Sequence, residues 1–369
     1  MTPSPRPQRG LDALRPYVPG KSIDEVKRAF GLDDVIKLAS NENPFGTSPK
    51  ALEAIAAAIP ALRLYPDGQS HDLRRALADR LGFDLEQVAI GNGADDLILQ
   101  LSMAYLEDGD EVVVSRSSFG MYDIYVHAMR AVLVKTPLLP GYRIDLDAAA
   151  DAITGRTKIV YVCNPNNPTG TMSTAAEFGR LLDRLPDHVL CVVDEAYVEM
   201  VDSDDYPDAL AVVRDGRPNV LVLRTFSKVY GLAGIRLGYG FGHPDVVGAL
   251  AKVRAAFTVN ALAQAAGIAS LDDDAFIRET IERNRDGRRQ LCAAFDRLGL
   301  EYADSHTNFV LVKIGRQALD VMDRLLRRGI IVRPMTAYEL PEFLRISIGT
   351  EQQNDRLIGA IDEMLARDV

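Results

Sequence analysis

The sequence predicts an α/β protein, with a mostly parallel central sheet covered by helices on both faces and a smaller α+β domain. Short apolar runs, such as residues 158–163 and 220–223, alternate with helical patterns between residues 88 and 223. Strands that are apolar throughout and separated by helices are typical of parallel sheets buried on both faces. A chain of 369 residues also exceeds what one small core requires. These observations favour one large domain followed by a smaller one.

The composition excludes several classes of function. Hydrophobic residues make up 47% of the chain and charged residues 25%, which is ordinary for a globular protein in water. The net charge of −10 argues against a nucleic-acid surface. The chain has no apolar run of about 18 residues, so no membrane span is expected. The proline-rich residues 1–10 also lack the apolar core of a signal peptide.

The cysteines and histidines indicate a cytoplasmic protein without a metal site. Cys163 and Cys191 lie in apolar runs, and neither pairs by spacing with Cys292. They are most simply small core residues of a reduced protein. The five histidines are scattered without metal-ligand spacing. We therefore expect a cytoplasmic location and no metal.

The first 81 residues alternate between turns and short regular elements. Residues 1–20 contain five prolines and are predicted to be irregular, lying along another part of the fold. A strand is predicted over 35–39, and the turn-rich residues 41–46 follow it. Helices are then predicted over 49–59 and 70–81, separated by a second turn.

The next part of the chain alternates strands and helices. Strands are predicted over 88–90, 111–115, 131–135, 158–163, 189–193 and 220–223, and helices over 95–105, 122–129, 146–153 and 175–185. In sheets of this kind ligands bind beyond the carboxyl ends of the strands. The unusual polar clusters of this region each lie just after a strand, so we expect them to share one edge of the sheet.

The remaining chain resembles a small α+β domain. Helices are predicted over 245–255, 261–271 and 275–298. Strands are predicted over 309–312, 330–332 and 343–348, with a helix between the first two and another closing the chain. We predict three parts: an N-terminal arm that joins the small domain (1–43), a large domain (44–255) and a small C-terminal domain (256–369).

Lys228 is the strongest candidate for a chemical role. It follows the strand 220–223 among small and hydroxyl residues, and no acidic residue lies within five positions. A solvated surface lysine is the usual alternative, but a partly buried lysine near a second cation deprotonates more easily and attacks carbonyl carbons. Thr225, Ser227 and Arg236 are suitable donors to a phosphate. A carbonyl compound that carries a phosphate describes pyridoxal phosphate.

Polar residues after two other strands complete this hypothesis. Asp194 follows the strand 189–193, where its carboxylate can reach the pyridine nitrogen of such a cofactor and keep it protonated. The alternative is a helix cap or a solvated strand end. Tyr197 and Asn167 can each donate to the phenolic oxygen of the ring, which stabilises that oxygen as an anion.

The turn after the strand 88–90 is a second candidate phosphate site. The backbone amides near Ala94 and Asp95 open a predicted helix and can bind a phosphate. Asp95 and Asp96 bring negative charge to the same place, but acidic residues also favour a first helical turn, and their side chains can point away. Phe119 follows the next strand and either stacks on the cofactor ring or packs in the core.

Two arginines of the last strands are candidates for binding an anion. Arg333 and Arg345 lie twelve positions apart, and Arg345 has apolar neighbours on both sides. These arginines either lie on a strand face that is exposed to solvent or form a clamp for a carboxylate or phosphate, to which the planar guanidinium fork is suited.

Several motifs together resemble one enzyme family. They are Tyr17-Val18-Pro19-Gly20-Lys21, Leu38-Ala39-Ser40-Asn41-Glu42-Asn43-Pro44, Tyr65-Pro66-Asp67-Gly68, Cys163-Asn164-Pro165-Asn166-Asn167-Pro168-Thr169-Gly170, Asp194-Glu195-Ala196-Tyr197 and the Ser227-Lys228 segment. The set resembles the pyridoxal-phosphate-dependent aminotransferases of fold type I, class I/II, along nearly the whole chain. The Asn-Pro-Thr-Gly and Ser-Lys motifs indicate the superfamily, while the first and third stretches favour the branch that acts on histidinol phosphate.

The resemblance implies a role for each candidate. Lys228 binds the cofactor covalently and moves a proton between the cofactor and the substrate carbon that bears the amine. Asp194 pairs with the pyridine nitrogen, and Tyr65 reaches the cofactor phosphate from the partner subunit of a homodimer. The other implied cofactor contacts are Ala94, Asp95, Phe119, Asn167, Tyr197, Thr225, Ser227 and Arg236, and the implied substrate contacts are Tyr17, Asn43, Arg333 and Arg345. Family members often carry tyrosine at the stacking position, so Phe119 keeps the ring face and loses a hydroxyl.

The expected reaction transfers an amino group between histidinol phosphate and 2-oxoglutarate, giving imidazole-acetol phosphate and glutamate in histidine biosynthesis. One site must then accept a carboxylate and a phosphate in successive half-reactions. An aromatic amino-acid aminotransferase and a threonine-phosphate decarboxylase of the same fold remain as alternatives. A non-catalytic regulator would need an added DNA-binding module, and this chain has no basic helix-turn-helix segment for one.

Overall fold

The computed structural model describes residues 5, 7–12, 14, 20–315 and 318–366. Its helices are α1 (Ile23–Phe30), α2 (Pro49–Ala58), α3 (His71–Leu81), α4 (Ala94–Tyr105), α5 (Met121–Ala128), α6 (Leu146–Asp151), α7 (Ala175–Arg184), α8 (Ala209–Arg214), α9 (Pro244–Val253), α10 (Ala261–Leu271), α11 (Asp274–Arg297), α12 (Ala318–Leu326) and α13 (Glu351–Ala366). Across these described residues, none of the helices has the length and apolar character needed to cross a membrane.

The strands of the described chain form one large sheet and several small ones. They are β1 (Ile36–Lys37), β2 (Val88–Gly91), β3 (Glu111–Ser115), β4 (Val132–Thr136), β5 (Leu138–Leu139), β6 (Arg143–Ile144), β7 (Thr157–Cys163), β8 (Leu190–Asp194), β9 (Val220–Thr225), β10 (Gly238–Gly242), β11 (Phe309–Lys313), β12 (Ile330–Ile331), β13 (Arg333–Pro334) and β14 (Phe343–Ser347).

The large sheet has the strand order β2-β10-β9-β8-β7-β3-β4. Strands β9, β8, β7, β3 and β4 pair in parallel, whereas β10 is antiparallel to both of its neighbours. The prediction of a mostly parallel central sheet is confirmed. The sequence analysis did not predict β10, because its glycine-rich sequence has little strand propensity. A Cβ at Gly238 would lie 2.1 Å from the backbone nitrogen of Ala94, so the glycine allows β10 to approach the start of α4 closely.

Both faces of the large sheet are buried under helices. Alternate residues of the central strands point to opposite faces, as the pleat requires. Val160 and Val222 join a core formed with α2, α3, α7 and α10. Ile159 and Leu221 join the second core, which α4, α5 and α9 cover. This burial on both faces explains why the central strands read as continuous apolar runs.

A smaller antiparallel sheet, ordered β11-β14-β13, packs against α11, α12 and α13. Strand β1 from the N-terminal part pairs in parallel with β12. Apolar side chains of α10 lie in a core of the large sheet, while Leu291 and Phe295 of α11 lie in the core of the small one. The domain boundaries after residues 43 and 255 stay a prediction, and this packing favours a later division, within α11.

Helix α1 was not predicted although its ends carry ordinary signals. The Ser22 hydroxyl accepts a hydrogen bond from the Glu25 amide at 3.1 Å, and Gly31 ends the helix with φ +65°. A serine cap three residues before an acidic residue, with glycine after the last turn, is a recognised boundary pattern. Ile23, Val26 and Phe30 also recur at helical spacing, so the sequence carried both the boundary signals and the apolar period of this helix.

Candidate active site

A cavity of about 310 Å³ lies at the carboxyl ends of β7, β8 and β9, where the small sheet meets the large one. Twelve of the predicted site residues line it: Ala94, Asp95, Phe119, Asn167, Asp194, Tyr197, Thr225, Ser227, Lys228, Arg236, Arg333 and Arg345. Parallel strands bring their carboxyl ends to one edge of the sheet, so residues far apart in sequence meet here.

Lys228 projects into this cavity from the loop after β9. Burial lowers the pKa of its ammonium group to about 8, and the nearby guanidinium groups of Arg345 and Arg236 add to the effect. Its Nζ lies 5.4 Å from the centre of the Tyr197 ring. A much larger fraction of this lysine is therefore an uncharged nucleophile near neutral pH than for a solvated lysine.

Asp194 is a buried carboxylate at the end of β8. Its Oδ2 accepts a hydrogen bond from the Tyr122 hydroxyl at 2.7 Å, and its Oδ1 accepts one from the Ala196 amide at 3.2 Å. Burial raises the pKa of Asp194, against the opposing effects of these two donors and of Lys228. A carboxylate with so little water around it gains strongly from a protonated partner in the cavity.

The start of α4 forms the phosphate end of the cavity with Ser227 and Arg236. Gly93 has φ +90°, and a Cβ there would lie 2.6 Å from Nη2 of Arg236, so a larger residue would displace the guanidinium. Thr225 Oγ1 donates to Ser227 Oγ at 3.0 Å and accepts from the Ser227 amide at 3.1 Å. Hydroxyl, guanidinium and helix N-terminus together form a suitable site for an anion.

Hydrogen bonds to neighbouring groups fix the carboxylates of the two acidic residues of this turn. Asp95 Oδ2 accepts from the Tyr125 hydroxyl at 2.9 Å, and burial raises the pKa of Asp95. Asp96 Oδ2 accepts from the Asn92 amide at 2.9 Å and from Gln100. These carboxylates accept hydrogen bonds from the turn and from side chains of α4 and α5. The backbone amides at the start of α4 are therefore still compatible with a phosphate.

Phe119 lines the cavity and makes an edge contact with Tyr122, with ring centres 5.6 Å apart. The side chain is partly buried, so it packs on the second core and still presents ring surface to the cavity. Its stacking on a cofactor stays a prediction.

Arg345 connects the small sheet to the loop after β7. Its Nη1 donates to Asn167 Oδ1 at 2.6 Å, and its Nη2 donates to the Ala39 carbonyl at 2.9 Å. Because Arg345 occupies the amide oxygen of Asn167, the amide NH₂ is the group left to serve as a donor in the cavity. This orientation suits the predicted contact of Asn167 with a ring oxygen.

Tyr197 is oriented by Asn41, a residue that the sequence analysis assigned to a motif without a site role. Asn41 Nδ2 donates to the Tyr197 hydroxyl at 3.0 Å, so the phenol proton can point to another acceptor. Asn41 adopts φ +55°, and Ser347 Oγ bonds both its amide and its side-chain oxygen. Asparagine tolerates a positive φ better than most residues. An asparagine in the turn-rich residues 41–46 was therefore the signal in the sequence for this conformation.

Two predicted site residues of the described chain, Tyr65 and Asn43, do not line the cavity. Tyr65 is 82% exposed and stacks on Phe257 with ring centres 4.6 Å apart. Asn43 donates to the Val229 carbonyl at 3.0 Å, so it supports the loop next to Lys228, and its contact with substrate stays a prediction. Tyr17 falls outside the described residues.

The structure also adds residues that the sequence analysis did not select. Tyr338 and Glu42 line the cavity, and Tyr122 reaches Asp194 from α5. Glu42 lies inside the motif 38–44, whereas Tyr122 and Tyr338 come from segments without a local pattern that identifies them.

These groups fit pyridoxal phosphate. Lys228 supplies an amine of lowered pKa, Asp194 a buried carboxylate and the Gly93–Arg236 contact an anion site that a Cβ would fill. The donor set therefore matches the three polar ends of the cofactor: its carbonyl carbon, its ring nitrogen and its phosphate.

Comparisons with known proteins agree with this geometry. The family model described as Aminotransferase class I and II matches residues 33–361. A histidinol-phosphate aminotransferase of Moorella thermoacetica is 45% identical over 362 residues, which cover 98% of this chain and 94% of the relative. Histidinol-phosphate aminotransferase 2 of Pseudomonas aeruginosa is 45% identical over 98% of both chains.

A solved structure is similar over the whole length. The histidinol-phosphate aminotransferase of Sinorhizobium meliloti, in complex with pyridoxal-5'-phosphate, has a TM-score of 0.90 and 31% identity, with 100% of both chains covered. The fold is therefore fold type I, as predicted. By sequence and by structure, this chain belongs to the class I and II aminotransferase family.

Proposed function

We propose that this protein is a pyridoxal-phosphate-dependent aminotransferase that moves the amino group between histidinol phosphate and 2-oxoglutarate in histidine biosynthesis. The observation that carries the substrate assignment is the pair Arg333 and Arg345, which faces the same cavity as Lys228. We place the reaction in the cytoplasm, where the free thiols of Cys163, Cys191 and Cys292 stay reduced.

The two arginines form an anion site by their position in the small sheet. Arg333 on β13 lies directly opposite Arg345 on β14. Like charges placed opposite each other on neighbouring strands destabilise a sheet. An anion bound between them removes that repulsion and gains charge-assisted hydrogen bonds from two planar forks. Phosphate and carboxylate both fit this description, so one clamp can serve both half-reactions.

The cofactor, when bound, supplies a carbonyl carbon that captures the amine and a ring that withdraws electrons. Lys228 Nζ would carry the proton between the substrate carbon that bears the amine and the cofactor, and the transfer would run in opposite directions in the two half-reactions. Asp194 holds a proton at the ring nitrogen through its buried carboxylate. Tyr197 and Asn167 donate to the ring oxygen, while Ser227, Arg236 and the start of α4 hold the phosphate.

Substrate choice follows from charge and shape. Histidinol phosphate has no carboxylate, so its phosphate must supply the anion that the arginines bind. Glutamate supplies a carboxylate to the same groups. The relatives named above carry the histidinol-phosphate assignment, and no named relative is an aromatic aminotransferase or a decarboxylase.

A half-reaction screen tests the assignment. Purified enzyme is mixed separately with histidinol phosphate, phenylalanine, tyrosine and threonine phosphate, and the absorbance of the bound cofactor is followed. We expect rapid conversion with histidinol phosphate and slower conversion with the aromatic amino acids. A response to phenylalanine without one to histidinol phosphate would contradict the proposal.

We further propose a homodimer in which Tyr65 completes the partner's phosphate site. The segment that contains Tyr65 exposes several large apolar side chains: Ile59 (52%), Leu62 (52%), Leu64 (56%) and Tyr65 (82%), next to Phe257 (45%). A second copy of the chain would cover this surface, since exposed apolar clusters of this kind are common at subunit interfaces.

Mixed dimers test the shared site. Lys228→Ala and Tyr65→Ala proteins should be inactive or impaired alone, whereas their mixed dimer would contain one site with both Lys228 and Tyr65. We expect activity per Tyr65→Ala subunit to rise on mixing. If Tyr65 serves its own subunit, mixing leaves that activity unchanged.

A further inference from the structure

Among the described residues, Tyr122 donates the one side-chain hydrogen bond that Asp194 accepts. Its hydroxyl donates to Asp194 Oδ2 at 2.7 Å. It comes from α5, on the second core, and therefore reaches Asp194 from outside the strand-end loops that form the rest of the site. Its side chain does not line this cavity, so Tyr122 contacts Asp194 from the side of the second core.

The position of Tyr122 is tightly fixed. The residue is 1% exposed, and its ring stacks on Tyr161 at 4.2 Å with an angle of 9° between the ring planes. Burial, with the charge of Asp194, raises the pKa of Tyr122 well above its usual range, so the phenol keeps its proton. Cys163 lies opposite Asp194 on the neighbouring strand, and burial raises the pKa of its thiol to about 12. Asp194 therefore accepts a hydrogen bond from an uncharged phenol on the core side, and it lines the cavity on its other side.

We propose that Tyr122 is a positioning residue that sets how strongly Asp194 holds the ring nitrogen of the cofactor in its protonated form. A proton shared between Asp194 and that nitrogen lies nearer to the more basic partner. The Tyr122 hydroxyl stabilises Asp194 as a carboxylate, which makes Asp194 less basic and leaves the proton on the nitrogen. The inference rests on the cofactor part of the proposed function and is independent of which amine is the substrate.

The test is the nitrogen-15 resonance of ring-labelled cofactor bound to the enzyme without substrate. In Tyr122→Phe we expect this resonance to move toward the unprotonated position, with a roughly tenfold fall in kcat, as for the loss of one hydrogen bond to a charged group. Tyr161→Phe is the matched control, because its hydroxyl is also buried and makes no hydrogen bond to Asp194. It should keep the wild-type resonance.

A second variant separates this effect from loss of packing. Fluorotyrosine at position 122 keeps the shape of the ring and donates more strongly, so the resonance should move in the opposite direction, toward the protonated position. An unchanged resonance in both Tyr122 variants, or an equal shift in Tyr161→Phe, would overturn the inference. Failure of the substrate screen would leave these resonances unaffected, which distinguishes this inference from the substrate proposal.

Discussion

The two ends of the cavity are built in different ways. The cofactor end consists of residues near the ends of strands of the large sheet, such as Asp194 at the end of β8 and Lys228 in the loop after β9. The substrate end joins segments that are distant in sequence. Arg345, for example, bonds Asn167 across 178 positions and Ala39 across 306.

The two ends of the cavity therefore depend on different parts of the fold. Parallel strand ends hold the cofactor groups against a core that is buried on both faces. The substrate groups depend on how the small sheet and the N-terminal part meet the large sheet, so their spacing can differ between relatives of the same fold. We expect substitutions at the cofactor end to abolish chemistry and those at the substrate end to change affinity.

Removing Lys228 should have the largest effect. Lys228→Ala loses the nucleophile and the proton carrier, so turnover should fall by on the order of 10³ or more. The visible absorbance of the covalently bound cofactor should disappear as well. Lys228→Arg, which keeps a cation without a nucleophile, should be equally inactive. Normal turnover in either variant would refute the role assigned to Lys228.

Removing Arg345 should affect the substrate end. In Arg345→Ala we expect KM for histidinol phosphate and for glutamate to rise by roughly 100-fold, because a buried charged partner of both anions is lost. Arg345→Lys should recover only part of this, since it keeps the charge without the planar fork. The variant's melting temperature must be measured too, because Arg345 also holds Asn167 and Ala39. A change confined to one substrate would contradict a shared clamp.

Gly93 tests the phosphate site at the cofactor end. Gly93→Ala places a Cβ 2.6 Å from Arg236 Nη2, so we expect cofactor affinity to fall by about tenfold as the guanidinium is displaced. Gly109→Ala is the matched control, because Gly109 has a similar φ of +87° and nothing within 4 Å. Both variants carry about 1–2 kcal/mol of backbone strain. Equal affinity losses, measured by cofactor titration, would show that strain alone is responsible.

The smallest expected effect is the influence of Arg345, at the substrate end of the cavity, on the pKa of Lys228, at the cofactor end. Because the pKa of Lys228 is lowered to about 8, its reaction with a small neutral aldehyde should increase as pH rises through about 8, when the ammonium loses its proton. Removing the Arg345 cation favours the protonated form, so the midpoint should move to higher pH in Arg345→Ala. Trapping with borohydride and mass spectrometry of the cofactor-free enzyme would measure both midpoints, with Lys228→Ala as the blank. An unchanged midpoint would mean that the ends are electrostatically independent.

The sequence was sufficient for most of the fold and for the cofactor end. Continuous apolar runs separated by helices are typical of parallel strands buried on both faces, and the polar residues after such strands meet at one edge of the sheet. The glycine-rich β10 was not predicted. Its glycines are needed because Gly238 approaches the start of α4 closely, which is a tertiary contact that the local sequence does not show. Asn41 and Tyr122 were not selected because their partners, Tyr197 and Asp194, are 156 and 72 positions away.

The sequence by itself therefore determined the sheet, the family and the residues at the strand ends, because local apolar patterns and short motifs specify them. Only the tertiary structure decided that Arg345 orients Asn167, that Asn41 orients Tyr197 and that Tyr122 holds Asp194. Each of these is a hydrogen bond between side chains from different elements, and its geometry depends on how the folded elements pack. Local sequence patterns do not encode that packing.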